Sequence, residues 1–480
     1  MIQYKIKSAI TNIEENKCFV IDSASGKEYT YAQCLGFAEQ VSKYLQEWGT
    51  DSVAAVLENG YLLVVLYFAC INANITIIPI DPQKGRQEIQ EILANHDGIP
   101  VFYDGDNLTR DYDIHRTQEL FHCDICAETD METFWKNVDL EKTYMVTYTS
   151  GSTGKAKGVK HSLKNLFWSA ISFGEKINYG EHSVLCHTMP MTYMAGILNT
   201  IFLPFIMHSR IVLFPRFSVM SAIHFWKNVI QYNVNTFWLS PTMINILLTI
   251  DKKGNVNAKE YFRQNPPVFN IGTAPLYPEL KSDFESKYGV TLYQSYGLSE
   301  TLLLTTAPLN QKIPESSVGE LLEEVQLRFA QDGEILISVP WMFLGYYDKD
   351  DNSFFSENYY ISGDFGEMKG NHLFITGRKK DLIVRGGINI SPAQIEMEIY
   401  RCPDIEECCV SGVVINGEEQ TVCWYITQNS EQKKLENEIN RKLINSLGPN
   451  YKIDCFKRVE FIAKNLNGKV DKNVMKKLFI

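Results

Sequence analysis

The chain lacks the hydrophobic features that would place it in a membrane. Its first ten residues, MIQYKIKSAI, contain no apolar core of the kind that a secretory signal peptide carries. The longest apolar stretch, residues 61–80, is interrupted by Asn72, Asn74 and Pro79. We interpret it as a buried helix followed by a buried strand and not as a membrane span. We therefore expect a cytoplasmic protein.

Cysteine is present but is not arranged for disulfides or zinc. The chain has 11 cysteines among 480 residues, an odd number scattered along the sequence, which is typical of a reducing cytosol. Cys123 and Cys126 form a C-x-x-C pair, but no second pair at zinc spacing accompanies them. We expect these two residues to be ordinary thiols.

An excess of positive charge is also missing. The chain has 46 basic and 57 acidic residues and a net charge of −11, which argues against a nucleic-acid binder. Residues 431–480 hold twelve Lys or Arg and six Asp or Glu, so this tail carries +6 and the remainder −17. Such a tail could attract an anionic ligand or an acidic protein, and it could equally be an ordinary solvated surface.

No internal repeat, low-complexity tract or Pro/Ser-rich linker is visible. At 480 residues the chain exceeds what one hydrophobic core usually serves, so we expect two or more domains. Short β-rich runs alternate with helical patterns, which predicts largely parallel, doubly wound α/β sheets. The β-rich runs are 53–57, 75–80, 183–189, 210–215, 236–240 and 268–272, and the helical patterns include 88–94 and 278–287.

The last hundred residues predict a different architecture. Ser391 followed by Pro392 is typical of a helix start. Two candidate strands follow at 407–415 and 421–427, and then an amphipathic helix over 435–447. These elements predict a small α+β domain, whose size is within the usual range for a domain.

A loop rich in glycine and hydroxyl groups follows an apolar strand at 144–148. Residues 148–159 read YTSGSTGKAKGV. Small residues let several backbone N–H groups converge, and Lys155 and Lys157 add positive charge, so the loop is a candidate polyphosphate cradle. It is not a Walker A motif, because G-x-x-x-x-G-K-[ST] cannot be read through it. Apolar spacing over 163–170 predicts that a helix follows the loop.

Further motifs follow in a fixed order along nearly the whole chain. Together with the loop they resemble the AMP-forming adenylating enzymes: acyl- and aryl-CoA synthetases, peptide-synthetase adenylation domains and luciferase. Their shared order and spacing make the resemblance specific. The motifs are IDPQKGRQEI near residue 81, GTAPL at 272–276, YGLSET at 296–301, GEILISVPWMFLGYY at 333–347, Gly363–Asp364, GRKKDLIVRGGINISPAQIE at 377–396 and NGKVDK at 467–472.

The resemblance implies a fold of two domains. A large α/β N-terminal domain with doubly wound sheets would cover residues 1–379, and a small, mobile α+β C-terminal lid would cover residues 380–480. In the family the join is a hinge, and the position two residues after the motif arginine is the pivot. That residue is Lys380 here.

The resemblance also implies a reaction. A carboxylic acid would attack the α-phosphate of ATP to give an acyl adenylate and pyrophosphate, and the acyl group would then pass to the thiol of coenzyme A. Because an anion must approach a polyanion, catalysis needs cations and aligned donors more than an acid–base pair. The implied cofactors are ATP, Mg²⁺ and coenzyme A, or the phosphopantetheine of a carrier protein.

Residue by residue, the resemblance assigns a nucleotide site. The loop would hold the β- and γ-phosphates, Glu300 would ligate Mg²⁺, Asp364 and Arg378 would bind the ribose, and the Tyr296 ring would stack on adenine. The assigned nucleotide set is Thr149, Ser150, Gly151, Ser152, Thr153, Gly154, Lys155, Lys157, Gly272, Thr273, Ala274, Pro275, Tyr296, Gly297, Ser299, Asp364 and Arg378.

The catalytic residues implied in the same way are Lys469, Glu300 and Thr149. Lys469 would reach from the small domain to bridge the carboxylate and the α-phosphate, a task that suits a mobile point charge on a long stem. After adenylation the small domain would rotate. Gly386 and Gly387 would then line a tunnel for the thiol, since glycine permits close backbone approach.

The identity of the substrate acid is what the sequence specifies least. Residues 187–196 read HTMPMTYMAG and contain no acidic residue, which argues against an α-amino acid because related amino-acid domains place an aspartate there. Many acyl- and aryl-CoA ligases carry P-x-x-H-x-x-G at this point; Pro190 and Gly196 match, but Tyr193 replaces the histidine. The candidate acid-pocket residues are Tyr193, Met194 and Gly196.

Three hypotheses follow for the function. The leading one is an acid:CoA ligase for an aryl, branched or fatty acid. The second is a free-standing acyl-AMP ligase that loads a carrier protein, which we expect to be a separate chain. The third, a non-catalytic nucleotide-binding protein, is disfavoured because the phosphate, metal, ribose and lysine elements are all retained.

Overall fold

A computed structural model describes residues 2–105, 108, 112–125, 127–149, 156–252, 254–347, 353–385, 387–415, 418–465 and 468–479. The loop residues Ser150, Gly151, Ser152, Thr153, Gly154 and Lys155, together with Cys126 and Gly386, lie outside the described residues. The described cysteines are all free thiols.

The helices are mostly short and cover the faces of the sheets. They are α1 (Ile2–Thr11), α2 (Tyr31–Glu47), α3 (Tyr61–Ala73), α4 (Arg86–Leu93), α5 (Met131–Trp135), α6 (Leu163–Lys176), α7 (Met194–Ile197), α8 (Leu203–Ile206), α9 (Val219–Ala222), α10 (Phe225–Gln231), α11 (Pro241–Ile250), α12 (Val256–Gln264), α13 (Pro278–Tyr288), α14 (Pro392–Tyr400), α15 (Gln432–Leu447) and α16 (Lys472–Lys477). Short 3₁₀ turns cover Thr117–His122, Lys379–Asp381 and Pro449–Tyr451, and a π-helical turn covers Leu198–Phe202.

The strands are, in chain order, β1 (Cys18–Asp22), β2 (Lys27–Thr30), β3 (Ser52–Val56), β4 (Thr76–Pro79), β5 (Val101–Tyr103), β6 (Ile114–His115), β7 (Thr143–Thr149), β8 (Lys157–Ser162), β9 (Val184–His187), β10 (Arg210–Leu213), β11 (Thr236–Leu239), β12 (Val268–Ile271), β13 (Leu292–Gln294), β14 (Gly297–Leu298), β15 (Leu302–Leu303), β16 (Thr305–Thr306), β17 (Glu320–Leu321), β18 (Gln326–Phe329), β19 (Glu334–Ser338), β20 (Phe355–Ser356), β21 (Tyr359–Lys369), β22 (His372–Arg378), β23 (Ile383–Arg385), β24 (Ile388–Ile390), β25 (Glu407–Ile415), β26 (Glu418–Ile426) and β27 (Cys455–Arg458).

Two sheets of the large domain are largely parallel, as the alternating pattern predicts. One has the strand order β13-β12-β11-β9-β10-β1-β2, and the other has the order β6-β5-β3-β4-β7-β8. Only the hairpin pairs β1–β2 and β7–β8 run antiparallel within them. Strand β11 is buried at every position, as expected where helices cover both faces of a parallel sheet.

The apolar stretch at 61–80 folds as the sequence predicts. Helix α3 is followed directly by strand β4, and α3 is buried nearly all round because its apolar residues cover its whole circumference. None of the described helices combines the length and the apolar character that crossing a membrane requires.

The helix predicted over 163–170 is present, but a strand that was not predicted separates it from the glycine-rich loop. Strand β8 comes first and pairs antiparallel with β7, with Thr149 opposite Lys157. Helix α6 then begins at Leu163, where the Ser162 side chain accepts a hydrogen bond from the backbone N–H of Asn165. The two segments that flank the loop therefore pair with each other.

A third sheet was not predicted. Its strands follow the order β16-β17-β22-β21-β19-β18, with β20 paired to β21, and neighbouring strands run antiparallel. Several of these strands are only two residues long, too short to show a period of two in the sequence. The β21–β22 hairpin of this sheet carries the motif residues Asp364 and Arg378.

The C-terminal part confirms the predicted small α+β architecture. Strands β25, β26 and β27 form one sheet. Helices α14 and α15 pack on it through a core of their own, which includes Ile395, Ile399, Val410, Leu435 and Ile439. The part touches the large domain where the ring of Tyr400 stacks on Tyr277, with the ring centroids 4.0 Å apart.

Candidate active site

A cluster of three side chains occupies the β21–β22 hairpin and the turn after β13. Arg378 Nε donates to Asp364 Oδ1 at 2.7 Å, and the Tyr296 hydroxyl donates to Asp364 Oδ2 at 2.7 Å. Asp364 and Arg378 are directly opposite in the hairpin, so the fold itself brings them together. The Asp364 side chain is 2% exposed, whereas that of Arg378 is 43% exposed.

Burial and contact with Asp364 shift the pKa values of Arg378 and Tyr296 in this cluster. Burial disfavours the charged guanidinium, but the Asp364 carboxylate outweighs it and raises the pKa of Arg378 above its usual value. Burial, together with Asp364, also raises the pKa of the Tyr296 phenol well above its usual value. At neutral pH Tyr296 is therefore a neutral donor beside a charged pair.

Asp364 retains capacity for a sugar. A carboxylate offers about four lone-pair sites; Arg378 uses two of them, the second through Nη2 at 3.4 Å, and Tyr296 uses one. The sequence assigned Tyr296 to adenine stacking and did not anticipate that its hydroxyl also binds the carboxylate of Asp364, the predicted ribose ligand. The contact joins residues 68 positions apart, which no local pattern shows.

The turn after β12 contains a strained residue. Thr273 has φ 73°, a conformation that a β-branched residue rarely adopts. Its hydroxyl oxygen is buried and has no hydrogen-bond partner among the described residues. A strained backbone with an unsatisfied hydroxyl is typical of a ligand-contacting turn, and this turn carries the predicted adenine-site residues Gly272, Ala274 and Pro275.

Glycine is required at one further point of the predicted nucleotide site. A Cβ atom added to Gly297 would lie 2.1 Å from the carbonyl oxygen of Leu302. Only glycine therefore lets β14 and β15 pair so closely. The turn places Ser299 and Glu300 directly after β14.

Glu300, the predicted metal ligand, is held by an aromatic network. The Tyr346 hydroxyl donates to Glu300 Oε1 at 2.8 Å and lies 3.2 Å from the Tyr360 hydroxyl. The backbone N–H of Phe343 donates to the Glu300 carbonyl at 2.9 Å. The motif GYY was used only for recognition, and its role in orienting Glu300 was missed.

The same tyrosine connects Glu300 to the phosphate loop. Lys157 Nζ lies 5.2 Å from the centroid of the Tyr346 ring. The Tyr347 N–H donates to the Gly158 carbonyl at 2.7 Å, so the segment that carries Tyr346 is paired with β8. Lys157 and Glu300 thus flank one ring, at the end of the loop whose residues 150–155 lie outside the described part of the chain.

The surroundings of Glu300 fit a magnesium ion that is shared with a substrate. Mg²⁺ is usually held by one or two carboxylates, several waters and the phosphates of the nucleotide. Within the part of the chain that the structure describes, no group of three or more His, Cys, Asp or Glu side chains could hold a metal by itself. A single carboxylate that shares the Tyr346 side chain with Lys157 suits the shared arrangement.

A buried histidine that the sequence did not flag supports the turn before Glu300. His161 Nε2 donates to the Ser299 carbonyl oxygen at 2.7 Å. Burial lowers the pKa of His161 to about 4. The imidazole is therefore neutral at pH 7, and the donated proton fixes its tautomer.

The predicted catalytic lysine of the small domain lies against the large domain. Lys469 Nζ is 5.8 Å from the centroid of the Tyr193 ring. The preceding carbonyl, that of Gly468, accepts a hydrogen bond of 2.7 Å from the Thr242 hydroxyl at the start of α11. The structure thus brings Lys469 to the predicted acid pocket.

The acid-pocket loop is clamped from behind by Asn59. The Asn59 amide donates to the Met189 carbonyl at 2.7 Å and accepts from the Met191 N–H at 2.8 Å. A Cβ atom on Gly196 would lie 1.9 Å from the Pro190 carbonyl oxygen, so the motif glycine is sterically required. Tyr193, which replaces the histidine of related ligases, immediately precedes α7.

Helix α7 continues into a π-helical turn, Leu198–Phe202, and then into α8. Such turns are frequent at functional sites because they free a carbonyl group. Here the Gly196 carbonyl accepts from both Thr200 Oγ1 at 2.7 Å and His187 Nε2 at 3.2 Å. Met194, the third predicted pocket residue, is buried in α7.

The hinge and tunnel residues are positioned less tightly. Lys380 and Gly387 are both exposed. Gly387 has φ 80° at the turn between β23 and β24, a conformation that favours glycine. The neighbouring Lys379 pairs with Glu334 of the large domain at 2.6 Å.

Two family models match the chain. Residues 10–347 match the AMP-binding enzyme model, and residues 394–469 match the model of the AMP-binding enzyme C-terminal domain. The two matches follow each other in the order that the sequence motifs indicate.

Several known proteins are similar over most of their length. A malonate–CoA ligase of Arabidopsis thaliana is 25% identical over 478 residues, which is 92% of this chain and 76% of that protein. A 2-succinylbenzoate–CoA ligase of Bacillus velezensis is 27% identical over 398 residues, 78% of this chain and 77% of that protein. The ATP-bound crystal structure of MatB from Rhodopseudomonas palustris has a TM-score of 0.86 at 21% identity and covers 99% of this chain and 98% of its own. This last likeness establishes the fold.

Proposed function

The chain belongs to the family of AMP-binding enzymes, and from that premise we propose that it is an acid:CoA ligase for an aryl, branched or fatty acid. One observation carries the assignment of the reaction. The amine of Lys469, from the small domain, lies over the Tyr193 ring of the large domain, next to the loop that would receive the acid. A ligase of this kind needs such a cation between the carboxylate and the α-phosphate.

In the first step a carboxylate oxygen forms a bond to the α-phosphorus of ATP, and the bond to pyrophosphate breaks. Lys469 would neutralise the two anions as they approach, and Lys157 would contact the departing phosphates. Mg²⁺, when bound, would neutralise charge on the phosphates. Tyr346 orients Glu300 toward that task.

The nucleotide would be held by the cluster around Asp364. Its carboxylate would accept hydrogen bonds from the ribose hydroxyls, while Arg378 and Tyr296 keep it oriented. The turn at Gly272–Pro275 would enclose adenine, and the unsatisfied Thr273 hydroxyl offers a further contact there.

In the second step the thiol sulfur of coenzyme A bonds to the acyl carbon and AMP leaves. We place the domain boundary between residues 379 and 380 and the pivot at Lys380, so that the small domain turns after adenylation. That rotation would withdraw Lys469, and Gly386 and Gly387 would line the path of the thiol.

The test is a pyrophosphate-release screen of the purified protein across a library of carboxylic acids with ATP and Mg²⁺. We expect release with a restricted set of acids and thioester formation when coenzyme A is added. Parallel reactions with phosphopantetheinyl carrier proteins test the carrier-loading alternative. Binding of ATP without acid-dependent pyrophosphate release would contradict the proposal.

A further inference from the structure

Three adjacent parallel strands each place one buried polar side chain at the same level. Trp238 of β11 and Asn270 of β12 are direct partners across the sheet. Phe237 of β11 is partnered with Cys186 of β9, so His187 lies beside Trp238. The three residues, called here the polar row, are at most 1% exposed.

Each member of the polar row has one unsatisfied polar atom. These atoms are His187 Nδ1, Trp238 Nε1 and Asn270 Oδ1, and none has a hydrogen-bond partner among the described residues. Buried polar atoms are nearly always satisfied, because an unpaired one is unfavourable by about 1–3 kcal/mol. Three in a row therefore require an explanation.

The other atoms of these side chains define what each unsatisfied atom can do. His187 Nε2 donates to the Gly196 carbonyl, and burial lowers the pKa of His187 to about 4; its Nδ1 is therefore an acceptor at neutral pH. The Asn270 amide nitrogen donates to the Phe237 carbonyl at 3.3 Å, which leaves Oδ1 as a second acceptor. Trp238 supplies one donor.

The polar row faces the side of the sheet on which Met194 of the predicted acid pocket is buried. Phe237 stacks on Phe269 within the opposite core, and successive side chains alternate between faces. Accordingly the Trp238 ring points the other way and lies 5.2 Å from the ring of Phe173 in α6. His187 touches Gly196 of α7, the helix that follows Tyr193.

Two observations relate the polar row to the segment that carries Lys469. The Gly468 carbonyl is bound by Thr242, three residues after the end of the strand that carries Trp238, so Lys469 enters at the carboxyl end of that strand. Gly272 follows Asn270 by two residues, and a Cβ atom there would lie 3.7 Å from the Trp238 ring and 3.2 Å from Ser295 Oγ. Glycine therefore lets Ser295 and the Trp238 ring lie close to the backbone just above Asn270.

We propose that the polar row binds an uncharged hydroxyl or amino group on the acid, at the end remote from the carboxylate that Lys469 holds. The inference rests on the proposed ligase function and narrows its substrate to an acid bearing such a group. A hydroxyl donates to one of the two acceptors and accepts from Trp238. An amino group can donate to both acceptors.

A charged group does not suit this position. The row contains no ionised side chain at neutral pH, and burying an unpaired charge is far more unfavourable than burying a hydroxyl. A plain hydrocarbon leaves all three atoms unsatisfied, and a site built to bond a hydroxyl discriminates strongly against the analogue that lacks it.

The experiment compares acids in pairs that differ by one group: benzoate with the hydroxybenzoates and aminobenzoates, and straight-chain acids with their hydroxy derivatives. Pyrophosphate release gives kcat/KM for each. We expect at least one substituted acid to exceed its parent by about 10- to 100-fold. Equal or higher kcat/KM for every unsubstituted parent would overturn the inference while leaving the ligase function intact.

Variants test whether the polar row is responsible. Trp238→Phe removes the donor and keeps an aromatic ring, and we expect it to shrink the ratio of substituted to parent acid about tenfold. Trp135→Phe is the matched control, because Trp135 Nε1 is likewise buried without a described partner but packs between α5 and α6. An unchanged ratio in both Trp238→Phe and Asn270→Leu would assign the unsatisfied atoms to bound water and overturn the proposal. Absence of turnover with every acid would overturn the ligase function and this inference together.

Discussion

The ribose end and the acid end of the site are built differently. At the ribose end, Asp364 is almost fully buried and receives hydrogen bonds from two residues of the same domain. At the acid end, the half-buried Lys469 arrives on a loop of the other domain, which Thr242 holds through the Gly468 carbonyl. In the proposed reaction AMP stays bound through both steps, whereas the lysine leaves after the first. A buried contact within one domain, as at Asp364, suits a group that stays bound. A contact between two domains, as at Lys469, suits a group that must be withdrawn.

The largest effect should come from removing the mobile cation. Lys469→Ala should lower acid-dependent pyrophosphate exchange by at least about 10²–10³-fold, because a cation aimed at the reacting phosphate is lost. Thioester formation from preformed acyl adenylate should survive. Lys464→Ala is the matched control, since Lys464 lies in the same segment but pairs with Glu407 of its own domain. Equal loss of both half-reactions would remove the contrast between the two ends.

A change at Asp364 should impair both half-reactions, unlike the change at Lys469. Asp364→Asn keeps the shape but removes the charge that Arg378 faces, and we expect KM for ATP to rise about 10- to 100-fold, as for the loss of a charged hydrogen-bonding partner. Both half-reactions should suffer, because both hold the AMP moiety. Steady-state kinetics with ATP and with preformed adenylate measure this, and an effect confined to adenylation would contradict the assignment.

A change at the proposed pivot should impair thioester formation and spare adenylation, which is the reverse of the effect at Lys469. Lys380→Pro fixes φ near −65° and should block thioester formation by about tenfold or more while pyrophosphate release in a single turnover continues. Lys380→Ala keeps the backbone free and serves as the control. Unchanged thioester turnover in the proline variant would place the pivot elsewhere.

A smaller effect should follow from removing the hydrogen bond that holds the loop of Lys469 against α11. Thr242→Val removes the hydroxyl that binds the Gly468 carbonyl and should slow adenylation by about two- to tenfold, the usual range for one neutral hydrogen bond. The thioester step from preformed adenylate should be unaffected. Thr249→Val is a control on the same helix, because its hydroxyl bonds only locally to the Asn245 carbonyl among its described contacts.

A pH experiment tests the two buried histidines of the site, His161 beside Ser299 and His187 beside Gly196. Burial lowers the pKa of His161 and of His187 to about 4, below the unfolded value of about 6.5. Between these values only the unfolded chain binds the proton, so stability is lost as pH falls from about 6.5 to about 4, by up to about 1.4 kcal/mol per pH unit for each histidine. Urea unfolding between pH 4 and 7 measures the slope. His161→Gln should flatten it, and an unchanged slope would contradict the assignment.

Much of the site could be predicted from the sequence because its residues sit in motifs with local geometry. Asp364 and Arg378 were both named, and the hairpin that pairs them is local in sequence. Tyr346, His161, Thr242 and Asn59 were not named, because each acts on a partner far along the chain; Asn59 and Met189 are 130 positions apart. Nothing in the period or composition of one segment indicates such a contact.

The strands show the same division between features that are local in sequence and features that depend on distant residues. Parallel strands such as β11 were found because burial on both faces makes them apolar at every position. Strand β8 was missed because a six-residue strand of mixed polarity resembles a loop, and its pairing with β7 cannot be read from its own residues. The short antiparallel strands around Glu320 depend on neighbours that are distant in sequence.

By itself the sequence determined the family, the two-domain plan, and the residue types available for phosphate, ribose, metal and acid. It could do so because motif spacing and apolar periodicity act over a few residues at a time. The tertiary structure alone decided that Tyr296 orients Asp364, that Tyr346 links Glu300 to Lys157, and that His187, Trp238 and Asn270 lie on neighbouring strands with unsatisfied polar atoms. Those relations arise when strands from separate parts of the chain are packed side by side, since burial then fixes which polar atoms find partners and which are left for a ligand.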